Sequence, residues 1–283
     1  MTDNHLSADD SRGLVQIAGL IRFSCPFTRP GGGGFRWRFE SVEAQLEAMY
    51  APERMEERFK YFERLCLHSL KRQTEVNFTI GVLVGEDMPS QYLTRLEALL
   101  AELPQARIIA MPVMPYWLAI NQAFKQLFDQ NTPYQLSFRL DDDDAVALDF
   151  IEQVNDKLPH MVALSGGLDP VALSFLQKAT LIGGAEGRRI VVSVDGHPIG
   201  IGLCVLAPAG HGDHAYTYTH SQVQMHMPAI MDNRPLMNLR AYHASNDSDT
   251  TAPRGHIVTL SGPELKRALR TRFDLDIDEV LAL

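Results

Sequence analysis

Apolar residues in the first half of the chain alternate between strand-like and helix-like spacing. Runs rich in Val, Ile, Leu and Phe predict strands at 14–24, 77–84, 107–110 and 134–140. Apolar residues at helical spacing predict helices at 52–71, 89–101, 116–128 and 145–157. This order indicates a largely parallel, doubly wound sheet that is flanked by helices.

The second half of the chain has a different pattern. Short apolar runs bounded by Gly or Pro predict strands and hairpins at 162–164, 171–176, 189–194 and 199–206. Asp195-Gly196 predicts a tight turn between the last two. Ser261 and Glu264 form a capping-box pattern, which predicts a final helix to about Phe273. We therefore expect an α/β fold whose second half contains a smaller antiparallel, hairpin-rich region.

Composition limits the class of protein. The polar residues 1–12 predict a disordered tail, and we expect one domain over 13–283 because no composition break divides it. A net charge of −9 argues against a nucleic-acid partner. The absence of a long apolar run predicts no membrane span, which leaves peripheral association open. Three scattered cysteines without a CxxC pair indicate neither a disulfide framework nor a zinc site, and favour a cytoplasmic location.

Four consecutive aspartates, Asp141 to Asp144, directly follow the predicted strand at 134–140. Adjacent like charges repel, and carboxylate oxygens are the ligands that Mg²⁺ and Mn²⁺ prefer. Positions two apart on an extended segment lie on the same side, so Asp141 and Asp143 are the predicted metal ligands. Asp144 would then orient the site or the sugar. The alternative interpretation is an acidic helix N-terminus, where aspartates cap free N–H groups.

Three segments carry a resemblance to a known family: IRFSCPF at 21–27, YFERLCLHSLKRQTEVNFTIGVLVGEDMPSQYL at 61–93 and FRLDDDDAVALDFI at 138–151. Together they resemble a bacterial family named for rhamnosyl transfer, with enzymes of GT-A type. Ser69 to Thr74 is also similar to the "SLxxQT" end of the first helix in inverting GT-A enzymes. The resemblance covers roughly residues 15–250 and is weak after about residue 160.

The resemblance implies a GT-A-like, Rossmann-related fold, a nucleoside-diphosphate sugar as donor, and Mn²⁺ or Mg²⁺. The nucleotide-binding half would be about 13–160, and the acceptor-side half about 161–283. A late histidine would complete the metal shell, with His243 as the first candidate and His220 as the second. The residues expected to contact the donor are Arg22, Phe23, Ser24, Arg139, Asp141 and Asp142.

Several roles stay open at this point. Phe23 would either stack on the base or belong to the core, and Arg22 would meet phosphate or be a strand-edge charge. Arg139 would pair with donor phosphate or form an internal salt bridge. The catalytic base is assigned to Asp213 in the HGDHAY loop. The alternative bases are Asp195, Glu186 and Asp169.

Two further segments have weaker interpretations. The Gly31–Gly34 loop, with Arg29, Arg36 and Arg38 around it, is either a lid that closes on diphosphate or an unstructured insertion. Trp37, Trp117 and Tyr116 would line a surface for the acceptor sugar, although 111–117 is more typical of core packing.

These observations predict a metal-dependent glycosyltransferase. It would move a sugar, with L-rhamnose suggested by the family name, to a hydroxyl of a glycan, lipid-linked or small-molecule acceptor, with inversion. Two alternatives remain: a metal-dependent nucleotidyltransferase, and a non-catalytic protein that binds nucleotide sugars.

Overall fold

The structure is a computed structural model that describes residues 8–28, 39–183, 187–243 and 255–283. Some predicted features lie outside the described residues: the Gly31–Gly34 loop with its three arginines, Trp37 and Glu186.

Strands and helices alternate in the first half as the apolar pattern predicts. The strands are β1 Val15–Arg22, β2 Phe27–Thr28, β3 Thr79–Gly85, β4 Ala106–Met111, β5 Met114–Pro115, β6 Tyr134–Asp141, β7 Ala145–Val146, β8 Val171–Ile182, β9 Arg189–Val194, β10 Cys204–Pro208, β11 Ala229–Ala241 and β12 His256–Val258. The helices are α1 Ala8–Leu14, α2 Val42–Met49, α3 Pro52–Tyr61, α4 Leu67–Lys71, α5 Ser90–Leu100, α6 Tyr116–Leu127, α7 Phe150–Ser165, α8 Gly262–Phe273 and α9 Ile277–Leu281. A π-helical turn, Phe62–Cys66, joins α3 to α4, and a 3₁₀ helix spans His220–Met225.

The first half forms a parallel sheet in the order β6-β1-β3-β4. Gly19 in β1 lies beside the ring of Phe138 in β6, and a Cβ at this position would approach that ring to 2.3 Å. Glycine at position 19 therefore leaves the space that the buried Phe138 ring occupies against β1. The parallel register places Arg22 opposite Asp141 at the carboxyl ends of β1 and β6.

The second half of the sheet is mixed, which confirms the predicted α/β fold with a smaller antiparallel region. β10 pairs antiparallel with both β6 and β8, and β8 pairs antiparallel with β9. The predicted hairpin at Asp195-Gly196 is wrong, because β8 lies between β9 and β10. The strand predicted at 162–164 is also wrong, since these residues form the end of α7.

Two further boundaries differ from the sequence-based prediction. The helix predicted to begin at Ala145 begins at Phe150, because Ala145 and Val146 pair with β11 as a short strand. This pairing is a tertiary contact that the local pattern does not contain. The tail predicted over 1–12 is wrong for residues 8–12, which belong to α1. The capping box at Ser261 and Glu264 is confirmed at the start of α8.

The main hydrophobic core extends across both halves of the sheet. Phe150 of α7 contacts Phe138 of β6 and Phe175 of β8, with ring centroids 5.3 and 6.0 Å apart. All three rings are fully buried. Among the helices of the described ranges, none combines the length and apolar character needed to cross a bilayer.

Candidate active site at the end of strand β6

The four aspartates lie in the connection between β6 and β7. Asp141 is the last residue of β6, and the Asp144 N–H donates to the Asp141 carbonyl at 3.2 Å, closing a tight turn. Asp142, Asp143 and Asp144 are all less than 7% exposed. The alternative interpretation as an acidic helix N-terminus is wrong, because α7 begins only at Phe150. These carboxylates are therefore held inside the protein at the carboxyl end of β6.

Asp141 pairs with two arginines. Arg22 Nη2 lies 2.6 Å from Asp141 Oδ1, and Arg139 Nη2 lies 4.0 Å from Oδ2. Burial opposes ionisation of Asp141, but the two guanidinium groups outweigh it and hold the pKa of the carboxyl below its usual value. Both arginines thus make internal salt bridges at this edge.

Asp142 pairs with an arginine from the first long helix. Arg58 Nη1 lies 2.5 Å from Asp142 Oδ1, and both side chains are at most 6% exposed. Burial raises the pKa of Asp142 to about 7, with Asp143 adding repulsion and Arg58 opposing the shift. The sequence-based prediction omitted Arg58. A signal existed, since Arg58 lies at helical spacing between the core residues Met55 and Phe62.

Asp143 meets the predicted histidine. His243 Nε2 lies 3.0 Å from Asp143 Oδ2, and its Nδ1 lies 3.7 Å from Glu57 Oε1. The imidazole stacks on the Tyr61 ring at a centroid distance of 4.1 Å, and its side chain is 1% exposed. Contacts on both ring nitrogens and one ring face therefore fix its orientation.

Asp144 is the least compensated of the four. The Ala241 N–H donates to its carboxylate, while Asp144 Oδ1 is buried without a hydrogen-bond partner in the described part of the chain. Burial, followed by repulsion from Asp143, raises the pKa of Asp144 well above its usual value, with Arg240 opposing the shift. Asp142 Oδ2 is likewise buried and unpartnered among the described atoms.

The donor chemistry of this cluster fits a hard divalent cation. Of the three predicted ligands, Asp143 and His243 are in contact, whereas Asp141 pairs with Arg22. Within the described ranges, no group of three or more His, Cys, Asp or Glu side chains is arranged to hold a metal ion. Mg²⁺ sites commonly use one or two carboxylates and complete their shell with substrate phosphate and water. The oxygens of Asp142 and Asp144 that lack partners add acceptors of the right type.

Aromatic and basic side chains form the other flank of the site. The Arg139 guanidinium lies 4.6 Å from the centroid of the Tyr216 ring, and Tyr216 donates its hydroxyl proton to the Leu20 carbonyl. Burial, aided by Arg139 and Arg240, lowers the pKa of His220 to about 4, so its imidazole is neutral at pH 7. His220, the second metal-ligand candidate, lies near Arg139, since both side chains lie next to Gly200.

Phe23 and Ser24, which the sequence predicts to contact the donor, make other contacts in the structure. Phe23 is fully buried, with its ring centroid 4.9 Å from that of Phe59 and 5.1 Å from that of Phe62. Phe23 therefore belongs to the core and cannot stack on a base. Ser24 is buried in a left-handed conformation, with φ at 49°, and its hydroxyl accepts a hydrogen bond from Arg54.

The candidate bases lie in different surroundings. Asp213 is partly exposed, and its Oδ2 lies 3.7 Å from His211 Nδ1. Asp195 is buried in an ion pair with Lys178, and Asp169 is exposed after α7. No described contact joins any of these three to the aspartate cluster. The loop after Asp213 does reach β6, since the Ala215 N–H donates to Ser137 Oγ.

Solved structures show some similarity to this chain, which spans less than two thirds of the length of the first two. A structure of residues 1–349 of TarS from S. aureus is 9% identical, with a TM-score of 0.45, covering 80% of this chain and 60% of that chain. The same TarS fragment with UDP is 12% identical, with a TM-score of 0.35, covering 58% of this chain and 36% of that chain. A "putative nucleotide-diphospho-sugar transferase" from Desulfovibrio desulfuricans is 8% identical, with a TM-score of 0.39 and 83% coverage of both chains.

Sequence comparison gives a firmer result at the level of the family. No curated protein matches the chain. A family model matches residues 16–255, which include all four aspartates and His243. Because this match covers most of the chain, the protein belongs to the glycosyltransferase family described as "Putative rhamnosyl transferase".

Proposed function

We propose that the protein is a metal-dependent glycosyltransferase that moves a sugar from a nucleoside diphosphate to an acceptor hydroxyl. The observation that carries this proposal is the contact between Asp143 and His243 at 3.0 Å, beside two buried carboxylate oxygens that have no hydrogen-bond partner among the described residues. Such a set of oxygen and nitrogen donors at a strand end suits Mn²⁺ or Mg²⁺ together with phosphate.

The chain's own residues would hold the donor through charge. Arg22 and Arg139 are aligned at the ends of β1 and β6 by their contacts with Asp141. In this position their guanidinium groups can also reach phosphate oxygens without a large reorganisation, because the ion pairs already fix their direction. A divalent cation bound at Asp143 and His243 would neutralise the charge that develops on the leaving diphosphate.

Transfer with inversion requires a base for the acceptor hydroxyl. We assign this role to Asp213, which would take the proton as the acceptor oxygen attacks the anomeric carbon. Asp144 would orient the reacting groups through its buried carboxyl group. The partial exposure of Asp213 supports access for an acceptor from solvent.

The name of the family supports L-rhamnose as the sugar. The acceptor would be a glycan, a lipid-linked molecule or a small molecule bound by the second half of the chain. A cytoplasmic setting is supported by Cys25, Cys66 and Cys204, which are all free and buried.

The test is a product assay with nucleoside-diphosphate sugars and Mn²⁺. Release of free nucleoside diphosphate, coupled to an acceptor that gains a sugar, is the expected outcome. A parallel assay with nucleoside triphosphates and a sugar 1-phosphate tests nucleotidyl transfer, which would release pyrophosphate instead. Binding of a nucleotide sugar without any product would indicate a non-catalytic protein. Asp143→Asn should abolish transfer, whereas Asp232→Asn, which changes another buried aspartate with basic partners, should not.

The donor base can be identified independently of turnover. A ligand that binds only the folded state raises the melting temperature by mass action. We therefore expect one nucleoside diphosphate to stabilise the protein more than the others when Mn²⁺ is present, and this preference to weaken in Asp143→Asn.

A further inference from the structure

The segment that follows the aspartates is held by one glutamine. Gln73 Nε2 donates to the carbonyls of Ala147 at 2.8 Å and Ser69 at 2.9 Å. Gln73 Oε1 accepts from the Ile151 N–H at 3.0 Å. The side-chain amide thus uses both of its N–H donors and its carbonyl oxygen, and only 7% of the residue is exposed. If the segment moved to another position, the amide could rarely make this same set of hydrogen bonds.

Its neighbours in the Ser69–Thr74 motif hold the same segment. Ser69 Oγ donates to the Cys66 carbonyl at 2.8 Å and accepts from the Val146 N–H at 3.4 Å. The Thr74 N–H donates to the Leu148 carbonyl at 2.8 Å. Three residues in or just after α4 thus contact the backbone of 146–151, which begins two residues after Asp144.

The helical segment 52–71, which consists of α3, the π-helical turn and α4, also contacts the aspartates themselves. Arg58 of α3 pairs with Asp142, whereas Ser69 and Gln73 bond the chain just beyond Asp144. The π-helical turn Phe62–Cys66 lies between these contacts. A π turn contains an extra residue and so rotates the following helix, and such turns are common at functional sites.

We propose that Gln73, with Ser69, is a positioning residue that fixes the Asp141–Asp144 turn for the transfer reaction. This inference rests on the proposed function, because it assigns a purpose to the turn. Gln73 touches no reacting group and acts through the backbone at Ala147 and Ile151. Displacements of about 1 Å in a catalytic group can lower a rate by roughly 100-fold, so a fixed turn has a direct kinetic consequence.

The experiment compares Gln73→Met with Gln16→Met. Methionine is close to glutamine in size and shape but cannot make the amide hydrogen bonds. Gln16 is a matched control, since its amide also bridges two backbone groups, the Leu127 carbonyl and the Asp129 N–H. Gln16 lies in β1 near its start, opposite the strand end that carries Arg22. Each variant therefore removes a side-chain amide that bridges backbone groups, at a different place in the same fold.

Three quantities are measured on full-length protein: the melting temperature, the Mn²⁺ concentration for half-maximal transfer, and hydrogen exchange of the amides at 145–151. We expect both variants to lower the melting temperature. Only Gln73→Met should raise the half-saturating Mn²⁺ concentration or lower kcat, by about 10- to 100-fold, the range typical of residues that orient metal ligands. Only Gln73→Met should speed exchange at 145–151.

Two results would overturn the inference. One is a Gln73→Met protein with wild-type kcat and Mn²⁺ dependence at a temperature where it is folded. The other is unchanged exchange at 145–151, which would show that the segment is held without this amide. Failure of the proposed function has a different appearance: the wild-type protein itself would give no sugar-transfer product with any nucleotide sugar, whether or not it bound one.

Discussion

His243 Nε2 lies 3.0 Å from Asp143 Oδ2, although 100 residues separate the two in the chain. The contact forms because β11 runs parallel to β8 and ends where the β6–β7 turn lies, so that the chain after Ala241 reaches the aspartates. It joins the first half of the fold, which carries the carboxylates, to the second. A ligand bound at this contact would therefore interact with both halves.

The imidazole of His243 can be removed while its ring packing is kept. His243→Phe retains an aromatic ring for stacking on Tyr61, but it has no nitrogen for a cation. We expect transfer to fall by at least about 100-fold, since Lewis-acid assistance contributes several kcal/mol. Steady-state kinetics with Mn²⁺ varied from zero to saturation would measure this loss.

The control for His243→Phe is His226→Phe. His226 stacks on Tyr218 at the same centroid distance, 4.1 Å, but it follows the 3₁₀ helix and is exposed. This variant should keep wild-type kinetics. Full activity in His243→Phe would contradict the assignment of His243 as a ligand.

The buried ion pair between Arg58 and Asp142 should dominate the stability of the site. Removing one partner of a buried pair leaves an uncompensated charge and typically costs about 3–5 kcal/mol. We expect Arg58→Met to lower the free energy of unfolding by this amount, and Asp142→Asn to restore part of it in the double variant. Urea unfolding of the four proteins in this cycle provides the measurement.

A partly exposed arginine supplies the comparison for Arg58→Met. Arg95 pairs with Glu56 and Glu63, and its side chain is 36% exposed. Surface pairs of this kind contribute about 0–1 kcal/mol, so Arg95→Met should change stability little. Equal losses at Arg58 and Arg95 would show that the burial of the Asp142 pair has no special effect.

The parallel half of the fold was predictable because its signals are local. β1 and β3 are short apolar runs, and parallel strands buried on both faces have that composition. β6 alternates apolar and polar residues, a strand pattern that is equally local. The aspartates were recognisable for a similar reason, since four adjacent acids directly after an apolar run are unusual in any other setting. His243 was selected through the resemblance to a family, and the sequence pattern alone did not single it out.

The features that the sequence did not reveal depend on contacts between distant segments. Ala145 and Val146 form a strand only because β11 lies beside them, so their local sequence was compatible with a helix start. β8 separates β9 from β10, and no turn signal at Asp195-Gly196 could show this. Arg58 pairs with a residue 84 positions away. Its position on the apolar face of α3 was the one local indication.

Trp117 offers a reporter of donor binding. It is 59% exposed at the start of α6, and the adjacent Tyr116 ring lies 5.8 Å from the Arg22 guanidinium carbon. The chain contains two tryptophans, so Trp37→Phe leaves Trp117 as the single indole. We expect a nucleotide sugar with Mn²⁺ to change the fluorescence of this variant. Binding detected by calorimetry without a fluorescence change would place the donor away from Tyr116 and Trp117.

One contribution to the pH dependence of stability can be assigned to His214, a histidine away from the aspartates. Burial lowers the pKa of His214 to about 4, while its Nε2 lies 2.6 Å from Asn121 Oδ1 and its ring stacks on Phe124. Between about pH 6.5 and pH 4 the unfolded chain binds a proton at this residue and the folded chain does not, so stability falls as the pH is lowered. His214→Gln should remove on the order of 2 kcal/mol of the stability difference between pH 7.5 and pH 4.5.

Asp142, with its raised pKa, contributes the opposite slope in this range, but that contribution is common to both proteins and cancels when their urea unfolding curves are compared. Equal pH dependence in the two proteins would show that His214 is protonated as readily in the folded state as in the unfolded one.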